Sequence, residues 1–450
     1  METRQCDVLI IGAGTAGLKA YKAAVARGAD TVIVEKGPGG STCTRVGCMP
    51  SKLLIAAARH AHEARRAAEF GVVTGAVTID AARVWQRVRD ERDRFVAAVL
   101  DDYHAIPAGH VLHGTGRFTG PDTVTTDERT IVARHGIIIA TGGHPIIPDA
   151  LDAVRDRVHT HETIFEIDGL PQRLAVFGAG PLGLELAQAF ARLGSEVTVI
   201  DSGDTVGELD DPEANTLALA ALRKEMRIEL GVDASAQPGD DGACICWDGG
   251  SVTVDLILAA TGRPPTLDAL NLDATGIARD DHGTPTFDQS TRRCGDSRIF
   301  IAGDANAWRP VLHEAARGGR IAGDVAAGGP PAREIPSLAI AFTEPNIVSV
   351  GTRFDALPDG ARIGSATVED NGRATADGRS DGIVRLYADG DGLLIGATIV
   401  APEGEHLGHL VALAIDRGTD IATFADQPWY HPTVEELLQS AARDLLGTDA

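Results

Sequence analysis

Three features of this 450-residue sequence predict its fold class. A glycine-rich turn between an apolar strand and a helix occurs twice along the chain. Each copy is followed later by an apolar strand that ends in Ala-Thr-Gly, as an internal duplication would require. Beyond residue 335, strand-like and helix-like segments are mixed. The sequence therefore predicts an α/β protein with two Rossmann-like dinucleotide-binding domains and a C-terminal α+β domain.

The first nucleotide unit opens with a buried strand and a turn that contains Gly12, Gly14 and Gly17. This G-x-G-x-x-G spacing permits a tight turn and brings backbone N–H groups close to a pyrophosphate at a helix N-terminus. Glu35 ends the second strand, where an acid can accept hydrogen bonds from ribose hydroxyls. A tight turn that binds no ligand is the alternative. The complete strand–helix–strand unit with its acid favours nucleotide binding.

The second unit repeats this pattern with Gly178, Gly180 and Gly183, and Asp201 stands in the position of Glu35. A ligand-free turn is again the alternative interpretation. The two residues after Asp201 are serine and glycine, and no arginine that could hold a 2′-phosphate lies nearby. This arrangement favours NAD over NADP. The second copy is short between Asp201 and its later strand, which predicts a small middle domain.

Coarser patterns predict the remaining elements. Helical periodicity indicates two helices between the nucleotide units, over about residues 51–70 and 80–104. Alternating apolar residues indicate strands over residues 339–350, 382–387 and 393–400 in the C-terminal region. Helices are predicted there over residues 406–417 and 434–446.

Cys43 and Cys48 lie in a segment rich in glycine, serine and threonine, residues 39–52. In a regular α-helix their Cα atoms would be about 8.7 Å apart, beyond the limit of about 7 Å for a disulfide. A bond between them therefore needs an irregular backbone, which Gly47 permits, and Pro50 suits the first turn of a following helix. A cysteine near that helix start would have a lowered pKa. Two unrelated thiols, or a zinc site lacking its second ligand pair, are the weaker alternatives.

The other four cysteines receive a plainer interpretation. Cys244 and Cys246 flank one residue of a predicted strand, so both side chains point to the same face. They are interpreted as ordinary core or surface thiols, as are Cys6 and Cys294. An even number of cysteines in a long chain does not by itself predict a disulfide framework.

The charge of the chain excludes two classes of partner. Its formal net charge is −23, from 41 basic and 64 acidic residues. Such a surface repels nucleic-acid phosphates and anionic lipids, so neither nucleic acid nor membrane is predicted to bind. No apolar stretch is long enough to span a bilayer, and Glu2 and Asp7 stand where a secretory signal would be basic. A cytoplasmic location is therefore expected.

His431 lies near the C-terminus in the segment His-Pro-Thr-Val-Glu-Glu, which is predicted to open a helix. A histidine held in one tautomer by a carboxylate such as Glu436 can act as a general base. The sequence has 14 histidines, so the motif is weak when taken alone.

Together these motifs resemble the pyridine nucleotide–disulfide oxidoreductases, and among them most closely the dihydrolipoamide dehydrogenases. The resemblance covers nearly the whole chain, and the cysteine and histidine–proline motifs are its most specific parts. It is carried by residues 12–17, 42–48, 50–52, 140–142, 178–185, 261–263, 303–304, 342–345 and 431–436.

The resemblance implies FAD and NAD as cofactors and sets the domain boundaries. An FAD-binding domain would comprise residues 1–145 and 263–334, an NAD-binding domain residues 146–262, and a dimerisation domain residues 335–450. The residues implied to bind FAD are Gly12, Gly14, Gly17, Glu35, Thr42, Lys52, Gly116, Thr141, Gly142, Arg263 and Asp304. Those implied to bind NAD are Gly178, Gly180, Gly183, Glu185, Asp201 and Gly262. Lys52 and Glu185 are implied to form an ion pair beside the flavin, and Asp304 to bind the ribityl chain. No metal site is predicted.

The catalytic roles also come from the resemblance. Cys43 would attack the substrate disulfide, and Cys48 would face the flavin as a thiolate that forms a charge-transfer pair with it. His431, oriented by Glu436, would be the acid–base partner of Cys43. In this family that histidine reaches into the active site of the partner subunit, so a homodimer with shared active sites is implied.

The implied activity is oxidation of dihydrolipoamide by NAD⁺, with the lipoyl domain of a 2-oxoacid dehydrogenase complex as the carrier of the substrate. Two alternatives remain open: an NADH-dependent reductase of another disulfide, a quinone or a metal ion, and a non-enzymatic flavin-binding redox sensor. Ser41 stands where the family has glycine, and Thr44 and Arg45 where it has leucine and asparagine. These departures leave the identity of the physiological disulfide open. The chain lacks the paired C-terminal cysteines of mercuric reductases.

Overall fold

The computed structural model describes residues 2–448. In these residues, the strands are β1 (Glu2–Ile11), β2 (Thr31–Glu35), β3 (Val111–His113), β4 (Arg117–Gly120), β5 (Thr123–Thr125), β6 (Arg129–Ile139), β7 (Val158–His159), β8 (Arg173–Phe177), β9 (Glu196–Ile200), β10 (Arg227–Glu229), β11 (Ser235–Gly239), β12 (Gly242–Trp247), β13 (Gly250–Val254), β14 (Leu256–Ala259), β15 (Ile299–Ile301), β16 (Leu338–Ala341), β17 (Asn346–Gly351), β18 (Arg362–Thr367), β19 (Ile383–Ala388) and β20 (Leu394–Ala401).

The α-helices are α1 (Thr15–Ala26), α2 (Thr42–Val46), α3 (Cys48–Arg66), α4 (Ala81–His104), α5 (Pro181–Leu193), α6 (Pro212–Leu222), α7 (Leu312–Ala326), α8 (Gly372–Ala376), α9 (Gly404–Asp416), α10 (Ile421–Ala425) and α11 (Glu436–Leu446). The chain divides into two compact units. Unit 1 contains residues 2–53, 85–146 and 262–334, and unit 2 contains residues 54–84, 147–261 and 335–448. None of the helices within residues 2–448 is long and apolar enough to cross a membrane.

Unit 1 is built on a seven-stranded sheet in the order β3-β2-β1-β6-β5-β4, with β15 also paired to β6. The central strands are parallel, and Ile10 lies between Ile33 of β2 and Ile138 of β6. All three side chains are fully buried, as expected for parallel strands that are covered on both faces. The carboxyl ends of β1, β2, β6 and β15 therefore meet at one edge of the sheet, where the glycine turn lies.

Unit 2 contains the second nucleotide unit and two other sheets. Its parallel sheet has the order β10-β9-β8-β14-β7, so β8, α5 and β9 repeat the arrangement of β1, α1 and β2. A three-stranded antiparallel sheet, β11-β12-β13, packs one apolar face against this parallel sheet. The C-terminal region forms a third, antiparallel sheet in the order β16-β17-β20-β19-β18, and α9, α10 and α11 share its core.

Three predicted elements differ from the structure. The single strand predicted over residues 339–350 is two strands, β16 and β17, which pair with each other through the turn that contains Pro345. Proline has no N–H to donate to a sheet, which explains the break. The helix predicted from residue 51 begins at Cys48 and changes to a 3-10 turn after Arg66. The predicted helix over residues 434–446 begins at Glu436, so His431 lies in the turn before it.

Candidate active site

The first glycine turn depends on backbone contacts that a side chain would block. A Cβ atom on Gly12, whose φ is +106°, would lie 2.4 Å from the carbonyl oxygen of Ala140. A Cβ on Gly17 would lie 1.9 Å from the oxygen of Gly12. A Cβ on Gly14, by contrast, would meet no heavy atom nearer than 3.9 Å. The outer two glycines therefore allow close packing, while Gly14 keeps space open at the start of α1, where a phosphate group fits.

The second turn reproduces this geometry almost atom for atom. A Cβ on Gly178, with φ of +110°, would lie 2.4 Å from the oxygen of Ala260, and one on Gly183 would lie 2.0 Å from the oxygen of Gly178. Gly180 again has open space, with no heavy atom nearer than 3.9 Å to a Cβ. Both units thus combine two closely packed glycines with one glycine that has open space beside it.

Each strand-end acid is hydrogen-bonded to the turn of its own unit. Glu35 accepts a hydrogen bond from the backbone N–H of Ala13 at 2.5 Å, and Asp201 accepts one from Ala179 at 2.5 Å. Each also accepts a second bond, at 2.7 Å, from the N–H two residues later in the chain. The acids therefore fix the turn and lie beside the place where a nucleotide ribose would bind.

The two cysteines of unit 1 lie on either side of a break between helices. Cys43 is in α2 and Cys48 is the first residue of α3, and Gly47 separates the two helices. A Cβ on Gly47 would lie 3.1 Å from the Cα of Cys43, so glycine permits the close approach. The side chain of Ser41 accepts a hydrogen bond from the N–H of Cys43 at 3.2 Å and caps α2. The irregular backbone that a reactive pair requires is therefore present.

Cys43 and Cys48 are both half-buried free cysteines. A nearby helix start lowers the pKa of a cysteine, yet the pKa of the Cys43 thiol is raised. The main cause is the hydrogen bond with Cys48, and burial adds to it, while the charge of Lys52 acts in the opposite direction. The proximity of Cys48 and the burial of the thiol therefore both favour the protonated form of Cys43.

His431 and Glu436 form the pair that the sequence suggested. Nδ1 of His431 lies 3.1 and 3.2 Å from the two carboxylate oxygens of Glu436, the first residue of α11. The N–H of Thr433 donates a further bond to Glu436 at 3.0 Å, which fixes the carboxylate. The His431 side chain is 79% exposed. Glu436 therefore orients an imidazole ring that stands largely in solvent in the single chain.

The hydroxyl of Thr141 and Nε of Arg263 are among the buried polar atoms in the described part of unit 1 that lack a hydrogen-bond partner. The Arg263 guanidinium also pairs with Asp304 at 2.8 Å, and Asp304 follows β15. Buried polar groups are normally hydrogen-bonded, so these atoms indicate a polar ligand in their vicinity. Thr141, Arg263 and Asp304 are all among the residues predicted to bind FAD, and their arrangement fits that ligand.

Residues 6–319 match the family model described as pyridine nucleotide-disulphide oxidoreductase, and residues 337–442 match the dimerisation domain of the same family. The chain belongs to the pyridine nucleotide-disulphide oxidoreductases. It is 33% identical over 469 aligned residues to dihydrolipoyl dehydrogenase from Haloferax volcanii, covering 98% of this chain and 96% of that protein. It is 34% identical to mercuric reductase from Acidithiobacillus ferrooxidans, covering 98% of this chain and 82% of that protein.

Solved structures agree with this assignment. LpdA from Mycobacterium tuberculosis has a TM-score of 0.83 and 25% identity, and the match covers 98% of this chain and 99% of that one. This oxidoreductase is therefore a flavoprotein whose cofactors are FAD and NAD. The matched dimerisation domain supports a homodimer. A pair of free cysteines in a flavoprotein of this family can exchange two electrons and two protons with a disulfide substrate.

The other predicted cofactor residues of the oxidoreductase lie in the following places. Gly142 and Gly262 have positive φ angles, +70° and +122°, and a Cβ on either would meet nothing within 4 Å. Gly116 instead packs in the core, because a Cβ there would lie 3.2 Å from the side chain of Ile11. Thr42 is the first residue of α2.

Lys52 lies in α3 of unit 1 and Glu185 in α5 of unit 2. Glu185 is buried, and its carboxylate accepts a hydrogen bond from the N–H of Phe342 at 2.9 Å. The ion pair between Lys52 and Glu185 that the family resemblance implies stays a prediction.

Unit 2 contains a buried ionic cluster that the sequence patterns did not predict. Arg192 of α5 pairs with Glu225 at 2.7 Å and with Glu344 at 3.0 Å, and Arg379 also pairs with Glu344. Burial raises the pKa of Glu344, but Arg379 and Arg192 outweigh it, so the pKa is lowered. The cluster borders a cavity of about 90 Å³ that Glu185 also lines. Residues 185, 188 and 192 of α5 are three and four positions apart, so polar residues at helical spacing were the available signal.

Proposed function

We propose that this oxidoreductase is a dihydrolipoyl dehydrogenase, which oxidises dihydrolipoamide with NAD⁺ as the acceptor. The observation that carries the proposal is the cysteine pair Cys43 and Cys48, held on either side of Gly47 at the break between α2 and α3. Similarity to dihydrolipoyl dehydrogenase over nearly the full length of both chains supports it.

The reaction begins with the cysteine pair as a disulfide. A thiolate of dihydrolipoamide attacks the sulfur of Cys43, which breaks the protein disulfide and forms a mixed disulfide. The second substrate thiolate then attacks the substrate-bound sulfur of that mixed disulfide, so that lipoamide leaves and the dithiol remains. Bound FAD supplies two-electron transfer from the dithiol to NAD⁺. The overall reaction consumes two substrate thiols and NAD⁺ and yields lipoamide, NADH and one proton.

His431 is proposed as the base that accepts the substrate proton. With Glu436 ionised, Nδ1 of His431 carries the proton that it donates to the carboxylate, and Nε2 is left to accept one. The high exposure of His431 supports a role in a site that is completed by the partner subunit.

NAD specificity is part of the proposal and is assigned to Asp201. The carboxylate of Asp201 accepts hydrogen bonds from its own turn. A 2′-phosphate bound beside this carboxylate would be repelled by its negative charge. A lipoyl domain is the proposed carrier of the substrate. A cytoplasmic location is also proposed.

A second candidate function is reduction of another disulfide or a metal ion by NADH, with electrons passing in the opposite direction. The similarity to mercuric reductase favours this alternative. A flavin-binding redox sensor would not require an acid–base pair such as His431 and Glu436, so the pair counts against that third function.

The test is steady-state turnover of the FAD-loaded protein with dihydrolipoamide and NAD⁺, followed as NADH formation. We expect activity with free dihydrolipoamide and a higher kcat/KM with a lipoyl domain. Cys43→Ser is the matched control, because it removes the sulfur that the substrate thiolate attacks and should abolish turnover while leaving FAD in place. NADH oxidation with an artificial acceptor should survive in this variant. Full artificial-acceptor activity without dihydrolipoamide turnover in the unmodified protein would favour the second candidate function.

A further inference from the structure

A second thiol pair lies on β12 in unit 2. The Sγ atoms of Cys244 and Cys246 are 3.5 Å apart, and both residues are half-buried free cysteines. They belong to a different unit from Cys43 and Cys48, and the proposed reaction does not use them. The spacing of the two residues along the strand predicted only a shared face, and the structure shows that the sulfur atoms are in contact.

The sheet presents this pair on its outer face. Ile245, between the two cysteines, is fully buried on the opposite face against the parallel sheet of unit 2. Cross-strand neighbours share a face, so register places four polar side chains beside the thiols. These neighbours are Ser235 and Gln237 on β11, and Ser251 and Thr253 on β13. The outer face is therefore polar around two adjacent sulfur atoms that are partly accessible.

We propose that Cys244 and Cys246 form a binding site for a thiophilic divalent metal ion of the class of Zn²⁺ and Cd²⁺. Two thiolates at about 2.3 Å from a tetrahedral ion are about 3.8 Å apart, close to the spacing in the structure. The amide group of Gln237 lies 3.9 Å from the sulfur of Cys246 and can offer its oxygen after rotation of the amide. Water completes the coordination.

Binding at this pair is an exchange of protons for metal without any oxidation. One divalent ion replaces the two thiol protons, so two metal–sulfur bonds form and two protons are released. Soft thiolate ligands select this class of ion over Mg²⁺ and Ca²⁺, which prefer oxygen.

The strand geometry favours a bridging metal over a disulfide at this pair. In an antiparallel strand, the Cα atoms of residues i and i+2 are separated by about 6.8 Å, which is the upper end of the range for disulfides. Shortening the distance between the sulfur atoms from 3.5 Å to about 2.05 Å would require β12 to contract between Cys244 and Cys246. β12 is paired along its length with β11 and with β13, so this movement would disturb both ladders.

The test uses the full-length, FAD-loaded protein carrying Cys43→Ser and Cys48→Ser, so that the first dithiol cannot contribute. After removal of metals under anaerobic conditions, CdCl₂ is titrated while bound Cd²⁺, proton release and thiolate-to-metal absorption are measured. We expect one Cd²⁺ per chain, with up to two protons released. Cys244→Ser or Cys246→Ser should each weaken binding by at least about tenfold. Ser235→Ala, on the same face and opposite Cys246, is the matched control and should bind normally.

A measurement on the protein with Cys244 and Cys246 intact covers the case in which these variants fold poorly. Bound Cd²⁺ should protect Cys244 and Cys246 from alkylation by iodoacetamide, as measured by peptide mass spectrometry. Equal alkylation with and without Cd²⁺ would overturn the proposal. So would Cd²⁺ binding that is unchanged in a well-folded Cys244→Ser variant, because the ion would then bind elsewhere, for example at Glu403, Glu405 and His406.

Discussion

The two cysteines of the redox pair occupy different positions, Cys43 within α2 and Cys48 at the start of α3. The pKa of the Cys43 thiol is raised, chiefly by its hydrogen bond to Cys48 and also by burial. We propose different tasks for the two residues, as the family resemblance implies: Cys43 exchanges with the substrate, and Cys48 interacts with the flavin.

The two cysteine variants should therefore differ in their absorption spectra. In Cys43→Ser we expect a long-wavelength charge-transfer band between the Cys48 thiolate and oxidised flavin. In Cys48→Ser the band should be absent. Anaerobic spectra of the FAD-loaded variants test this, with the visible flavin absorption as the control for FAD content. A band in Cys48→Ser alone would exchange the roles of the two residues.

Asp201 should set the choice of nicotinamide nucleotide. We expect NADH to be preferred over NADPH by at least about tenfold in kcat/KM, which corresponds to about 1.4 kcal/mol. The reason is repulsion between the Asp201 carboxylate and the 2′-phosphate of NADPH. Asp201→Asn should reduce this preference, because the charge is removed while one oxygen can still accept from Ala179. Rates with both nucleotides provide the measurement. Equal rates with NADPH in the unmodified enzyme would place the ribose-reading group elsewhere.

The residues that the sequence could predict are those whose partners are near in the chain. Gly12 and Gly17 contact each other within one turn, and His431 and Glu436 are five positions apart. The ionic cluster of Arg192 could not be predicted in this way. Its partner Glu344 comes from a distant segment, so only the tertiary fold brings the charges together.

In the glycine turn after β8, we expect one glycine to be needed for stability and another for nucleotide binding. Gly183→Ala should destabilise the protein, because the new Cβ would lie 2.0 Å from the oxygen of Gly178. Gly180→Ala should fold normally, since its Cβ meets nothing nearer than 3.9 Å, yet it should weaken NADH binding by filling the space of the pyrophosphate. Thermal unfolding and NADH titration measure the two effects. Loss of stability in Gly180→Ala would contradict this division.

Strands and helices with regular apolar patterns were predicted well from sequence, and α7 shows why others were not. The sequence of residues 312–326 predicts no helix, because its glycines would weaken an isolated helix. In the structure a Cβ on Gly319 would lie 2.1 Å from the oxygen of Ala16, and one on Gly323 would lie 2.2 Å from that of Ala20. The glycines therefore allow α7 to pack directly on the backbone of α1, a requirement that appears only when both helices are in place.

At the scale of the whole molecule, the proposed active site needs two chains. The dimerisation-domain match and the exposed His431 support sites that combine Cys43 of one chain with His431 of the other. Homodimers of Cys43→Ser and of His431→Ala should each be nearly inactive. A heterodimer of the two carries both changes in one site and none in the other, so it should regain about half of the wild-type activity.

Co-expression of the two variants with different tags, followed by double affinity purification, isolates the heterodimer for assay. FAD content and dimer mass are the controls for intact assembly. An inactive heterodimer with full FAD content would show that Cys43 and His431 act within the same chain.

The pairing of β15 with β6 has a consequence for how the chain is made. The sheet of unit 1 takes Ile299–Ile301 as a strand, although its other strands end by Ile139. A growing chain must therefore emerge from the ribosome past residue 301, with the whole second nucleotide unit already outside, before the first sheet is complete. At about 5–20 residues per second, the inner half of β6 waits many seconds with one edge unpaired. During that time no strand of the protein covers this edge of β6, so its protection depends on other components of the cell.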